Sequence, residues 1–249
     1  MKITKSCYAL LGFGYLPPWV VNAGFIVGRT STLIIDTGPN KLSAQTLFGY
    51  AQSPKPDNKI IVVNTEKHLD HLGGNCFFRA KGIDIYGFKG INRSTNDLLA
   101  DLEEMNQAIP NEKRRSLHEE RIFFQDTEIV NPNKIVNEGD SFDLGDIHAN
   151  LIFTPGHTAT NISVLLKEEK VLYTGDCITN KYLPNLEAGN KDDWGIWLNS
   201  LELISSLDLD FVVPGHGNVI EGSEIKSEIQ RIREVLETAI KENKPPTVV

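Results

Sequence analysis

Cysteine is scarce in this chain: Cys7, Cys76 and Cys177 are the only three in 249 residues. An odd, sparse set excludes a disulfide framework and fits a reducing compartment, with the thiols as packing groups rather than chemical ones. Basic charge is also short. The formal net charge is −8, which argues against a broad nucleic-acid surface, since that needs a basic stripe. No apolar run approaches the roughly 20 residues of a membrane span, and no segment is of low complexity. Lys2 and Lys5 ahead of the apolar residues 8–16 loosely resemble a secretory leader. Gly12, Gly14 and Pro17-Pro18 interrupt that stretch, so no cleaved leader is expected. The expected location is the cytoplasm, with neither nucleic acid nor membrane as a partner.

What remains is an α/β pattern long enough to bury a full core. Residues 20–27 and 32–35 read as strands joined by the turn Gly28-Arg29-Thr30, a hairpin. A helix over 42–51 is broken by Pro54 and Pro56. The β-branched run Lys59-Ile60-Ile61-Val62-Val63 fits a buried strand. From about 89 to 120 the character changes: Leu98, Leu99, Leu102 and Met105 recur at helical spacing and Pro110 divides the stretch, predicting an inserted helical pair. Strands return at 147–153, 161–166, 170–173 and 211–213, with a helix over 193–206. A last helix spans about 223–243, with Ser223 as its N-cap and Ile225, Ile229, Ile232, Leu236 and Ile240 as its buried face. Polar turns after strand pairs, Asp36-Thr37-Gly38 and Thr174-Gly175-Asp176, hint at two similar halves packed face to face. The whole, 1–249, is read as a single domain.

The chemistry concentrates at strand ends. Asn64-Thr65-Glu66-Lys67-His68-Leu69-Asp70-His71 directly follows a buried strand and places four potential metal ligands within six residues. Imidazole with carboxylate suits zinc, iron or manganese. A solvated polar loop is the bland alternative, but Gly73-Gly74 follow and allow a tight backbone near an ion. Thr154-Pro155-Gly156-His157 and Pro214-Gly215-His216-Gly217 also follow strands. A lone His is more often structural than a ligand; two Pro-Gly-His turns at strand ends look like one device used twice. Asp176, in Leu172-Tyr173-Thr174-Gly175-Asp176-Cys177, is a turn carboxylate that can bridge two cations. Asp36 can orient a ligand from behind. His118 and His148 are left over, one read as exposed and one as a strand residue without a role. Cys177 is read as structural.

In this order, and over almost the whole chain from about 23 to 217, these motifs resemble the metallo-β-lactamase fold superfamily. The resemblance implies an αββα four-layer sandwich with metals at one edge between two sheets. It implies a first site of Glu66, His68 and His157, a second of Asp70, His71 and His216, and a bridging Asp176. The family usually has His where this chain has Glu66. A carboxylate is an allowed ligand, but Glu66, Asp70 and Asp176 then set three negative charges against the four positive of two divalent ions. The water at such a centre would be less acidified, and manganese or iron would compete better with zinc, the first expectation. The implied activity is metal-assisted hydrolysis of an ester, lactone, thioester or amide, a β-lactam included, with Asp70 accepting a proton from the attacking water. Within the family, residues 174–217 look most like general hydrolases found beside sulfur-oxidation and quinoprotein systems. The alternatives are a mononuclear iron oxidoreductase of the same fold and a non-catalytic member that binds metal or ligand. A small-molecule substrate and a monomer or homodimer complete the expectation. Candidate walls are residues 12–19, 89–120 and 181–197, with Phe13, Tyr15, Trp19, Tyr182, Asn185 and Trp194 as lining.

Overall fold

Strand alternation decides which faces of this protein are buried. In the strand Lys59–Val63, Ile61 and Val63 join one apolar cluster, and Ile60 and Val62 join another on the opposite face. Successive side chains of a strand point to opposite faces, so a run that is apolar throughout needs cover on both sides. The computed structural model describes residues 1–14, 20–108, 111–113, 116, 118, 122–186 and 189–245. Among them, one six-stranded sheet runs in sequence order: β1 (Cys7–Gly14), β2 (Val20–Val27), β3 (Ser31–Ile35), β4 (Lys59–Val63), β5 (Ile85–Phe88) and β6 (Lys134–Val136). A second six-stranded sheet mirrors that order: β7 (Ser141–Asp143), β8 (His148–Phe153), β9 (Ile162–Leu166), β10 (Val171–Tyr173), β11 (Phe211–Val213) and β12 (Ile220–Glu221).

The central cluster draws on both sheets. Ile26, Leu33, Ile35 and Val63 from the first meet Ile162, Val164, Val171 and Tyr173 from the second. On the outer face of the first sheet, Ile34, Val62 and Ile85 pack under α1 (Lys41–Gln52) and α3 (Asn75–Ala80), through Ala44, Leu47 and Phe78. On the outer face of the second, Leu165, Leu172 and Val212 pack under α5 (Lys191–Ser205) and α6 (Glu224–Glu242), through Trp197, Leu201, Ile229 and Ile232. The layers are α, β, β, α, as expected, and the two halves do face each other. Two further helices are α2 (Leu69–Leu72) and α4 (Thr95–Ala108).

The expected hairpin is the antiparallel pair β2–β3, with Gly24 opposite Ile35 and Val27 opposite Thr32. One expectation changes and two segments gain detail. The leader-like stretch at 8–14 is strand β1, paired antiparallel with β2 and bulged between Leu10 and Phe13. Ser223 does not cap α6: its backbone is already helical (φ −67, ψ −20) and its side chain makes no cap bond. A reciprocal capping box instead starts α5, formed by Asn190 and Asp193. Of the inserted pair, α4 is the first helix; of the second, residues 111–113 form a short turn and residue 118 is helical, and Pro110 and the packing of Leu98, Leu102 and Met105 lie outside the described residues. No described helix is long and apolar enough to cross a membrane.

Candidate metal centre

Parallel pairing brings the chemistry to one edge. β3 and β4 are parallel neighbours, as are β10 and β11, so each pair ends side by side. Asp36 follows β3, the 64–71 segment follows β4, Asp176 follows β10 and His216 follows β11. His157 follows β8 across a Pro-Gly turn, where Gly156 has φ +146 and lies against Trp197, leaving no room for a Cβ. The first turn of α2 begins at His68 and carries Asp70 and His71.

All seven predicted ligands converge there. Nδ1 of His68 stands 3.0 Å from Oε1 of Glu66 and 3.1 Å from Nε2 of His157. Nε2 of His71 stands 3.4 Å from the same Glu66 oxygen and 3.2 Å from Oδ1 of Asp176. Oδ2 of Asp176 is 3.1 Å from Nε2 of His216 and 3.5 Å from Nε2 of His157. Oδ2 of Asp70 is 3.4 Å from Nε2 of His216. Three sets have their ligand atoms within 4.8 Å of one another: Glu66, His68 and His157; Asp70, His71 and His216; Glu66, His71 and Asp176.

These separations also suit ligands around ions. Two ligands about 2.0–2.1 Å from one tetrahedral ion lie about 3.3 Å apart. Nε2 of His71 and Oδ1 of Asp176, although 3.2 Å apart, are both buried without a hydrogen-bond partner. An unpaired buried polar atom costs about 1–3 kcal/mol, so atoms left in this way and turned toward each other fit a cation between them. Charge agrees. Burial disfavours a charged His71, yet Asp176, Asp36, Asp70 and Glu66 surround it and hold its imidazole well above the ordinary value. Burial would raise Asp70, but the imidazoles of His71 and His216 hold its carboxyl down at about 2. Burial lowers His157, keeping it neutral and its lone pair free. The cluster is a sink for positive charge.

The supporting shell is equally specific. Asp36, as expected, stands behind His71: its Oδ2 is 2.9 Å from Nδ1, and the carboxylate also accepts from the amide and hydroxyl of Thr65, both at 2.7 Å. Nδ1 of His216 lies 2.7 Å from the carbonyl of Val20. Asn161 was not foreseen. Fully buried, it donates to the Thr174 carbonyl and the Thr154 hydroxyl and accepts from the amide of Asp176. Asn22 was missed too; its amide ties β2 to the His216 turn through the carbonyls of Pro214 and Gly217. The only signal for Asn161 was the run of small, mostly polar residues 158–161 before β9, and Asn22 had none beyond a polar letter in an apolar strand.

The remaining candidates divide. His118 and His148 are exposed and belong to none of the three ligand sets. Cys177 is buried in the core under α5, where burial pushes its thiol up to about 12. Trp194, read as lining, is instead buried, its indole donating to the Leu186 carbonyl. Tyr182 does border the centre, its ring edge-on to His216 at 6.3 Å between centroids. Phe13 is half-buried and packs on the outer core of the first sheet. Asn185 is exposed. Tyr15 and Trp19 lie outside the described residues.

The chain is 26% identical over 210 residues to the acyl-coenzyme A thioesterase MBLAC2 of Gallus gallus, spanning 80% of this chain and 73% of that protein. Over 87 residues it is 33% identical to a hydroxyacylglutathione hydrolase of Francisella philomiragia, spanning 35% of this chain and 34% of that one. The fold is similar to that of a metallo-beta-lactamase family protein from Thermus thermophilus, with a TM-score of 0.71 at 18% identity, covering 96% of this chain and 82% of that one. The sequence pattern of the metallo-beta-lactamase superfamily matches residues 16–216. The chain belongs to the metallo-beta-lactamase superfamily and is a hydrolase of that fold.

Proposed function

We propose that the whole chain acts as one domain holding a dinuclear centre, and that it hydrolyses a small-molecule thioester. Glu66, His68 and His157 hold one divalent ion, and Asp70, His71 and His216 the other, with Asp176 shared. Zinc is the first choice, since imidazole supplies four of the seven ligands, with manganese or iron as alternatives. The observation that carries the reading is the inward-facing pair His71 Nε2 and Asp176 Oδ1, buried and otherwise without a partner.

When bound, two divalent ions supply an activated water and a Lewis-acid contact to the scissile carbonyl. The protein's own groups do the rest. Asp36 and Val20 fix the orientation of His71 and His216 by holding their Nδ1 atoms. Asp70, held ionised by its imidazole neighbours, accepts a hydrogen bond from the attacking water and orients it; a carboxylate so acidic is a poor proton acceptor at neutral pH. Tyr182 and the exposed Leu183 beside it offer an apolar edge for an acyl group. A thioester is favoured over other acyl substrates because the relatives include acyl-coenzyme A thioesterases, a hydroxyacylglutathione hydrolase and an acyl-carrier-protein thioesterase.

The test is a panel of acyl-coenzyme A and acyl-glutathione thioesters beside matched oxygen esters and a β-lactam. Preferential thiol release from the thioesters supports the reading. Turnover confined to the others would overturn the substrate class, and oxygen uptake by iron-loaded protein without hydrolysis would overturn the reaction.

A further inference from the structure

The carboxylate of Glu66 touches both halves of the cluster. Its Oε1 lies 3.0 Å from Nδ1 of His68, a member of the first ligand set, and 3.4 Å from Nε2 of His71, a member of the second. It belongs to the first set and also to the third, where it meets His71, a member of the second. A histidine at this position would present one lone pair on one nitrogen to one ion; a carboxylate has four lone-pair directions on two oxygens. Two of those are used by the amides of Lys67 and His68, each at 3.1 Å. Two remain. Glu66 is fully buried, so neither can be satisfied by bulk water.

We infer that Glu66 is a second bridging carboxylate, shared by both ion positions opposite Asp176, and not a ligand of the first position alone. The inference rests on the dinuclear reading above. Its consequence is that the two positions are bound through common ligands: a change at Glu66 is felt at both, whereas a change at His157, which reaches the first set only, is felt mainly at one. Glu66 thereby does more than replace an imidazole. It joins the positions from the side of β4 as Asp176 joins them from the side of β10.

The experiment is a stepwise Zn(II) titration of the metal-stripped full chain against a chromophoric chelator, giving two dissociation constants. Glu66→Gln removes the charge while keeping the shape, Glu66→Asp keeps the charge but withdraws it by one methylene, and His157→Asn removes a ligand of the first set. In Glu66→Gln and Glu66→Asp both constants are expected to rise about tenfold or more, whereas in His157→Asn only one rises by that factor. Circular dichroism on each variant confirms the fold, and the Asp variant stands in if the Gln variant does not fold. A rise in one constant alone in both Glu66 variants, matching His157→Asn, overturns the shared ligand, as does no change in either. A parent protein that takes up fewer than two ions overturns the dinuclear reading itself, and is seen before any variant is measured.

Discussion

Oδ2 of Asp36 lies 2.9 Å from Nδ1 of His71, and both groups are buried. The bond leaves Nε2 of His71 as the nitrogen turned toward Asp176 and Glu66. Asp36 reaches this position with φ +61, a left-handed backbone that Asp and Asn adopt more readily than other side chains. Asp36→Asn therefore leaves the backbone in place and removes the charge behind the imidazole. Metal affinity and turnover are both expected to fall, by about 10- to 100-fold. Metal titration and steady-state kinetics check this; unchanged affinity would show that Asp36 only packs.

Gly215 tests the opposite side of the cluster. A Cβ built there would collide with Oδ1 of Asp176, although the backbone itself is in an ordinary conformation. Gly215→Ala is expected to displace the carboxylate and lower the bound metal per chain. Elemental mass spectrometry on dialysed protein reads the effect.

Asn161 joins three strand ends through buried hydrogen bonds. Asn161→Ala strands the Asp176 amide, at about 1–3 kcal/mol, and removes one of the two hydrogen bonds to the Thr174 carbonyl, to which the Cys177 amide also donates. A total loss of about 2–4 kcal/mol in unfolding free energy is expected by urea denaturation, larger than truncation of an exposed Asn would cause.

Acid sensitivity has a source far from the metal. Burial would raise the Glu169 carboxyl, but the Thr4 hydroxyl and the Ser6 amide, the latter at 3.0 Å, donate to it and hold it below its ordinary value. A carboxyl lowered by folding stabilises the protein above its unfolded pKa and loses that contribution as pH falls through the folded one. Because Glu169 is half exposed, solvent screening limits the worth to about 1 kcal/mol. Glu169→Gln is expected to be less stable by that amount at neutral pH, with the difference shrinking as the pH drops below the ordinary carboxyl range. A difference independent of pH would contradict it.

Thiol reactivity checks the packing. Burial pushes Cys7 and Cys177 up to about 12, and both are fully buried, while Cys76 is half-buried. The native chain is expected to show one reactive thiol toward a disulfide reagent, and the unfolded chain all three.

Much of this was legible in the residues. The β4 run and the ligand-dense segment behind it marked the site because adjacent chemistry is written in adjacent letters. The two Pro-Gly-His turns did the same. Asn161 and the Val20 carbonyl were not legible: one acts on a residue 15 positions away and the other on a residue 196 away, and a backbone carbonyl carries no letter of its own. β1 was hidden for a different reason. Its glycines and bulge break the alternation that identifies a strand. Trp194 failed as lining because helical spacing places it on the same face as Trp197 and Leu201, toward the core.

A dinuclear centre shows directly as metal per chain, read by elemental mass spectrometry on protein purified without chelator. About two ions per chain is the expected result. A single iron per chain, or no metal after reconstitution, would contradict it.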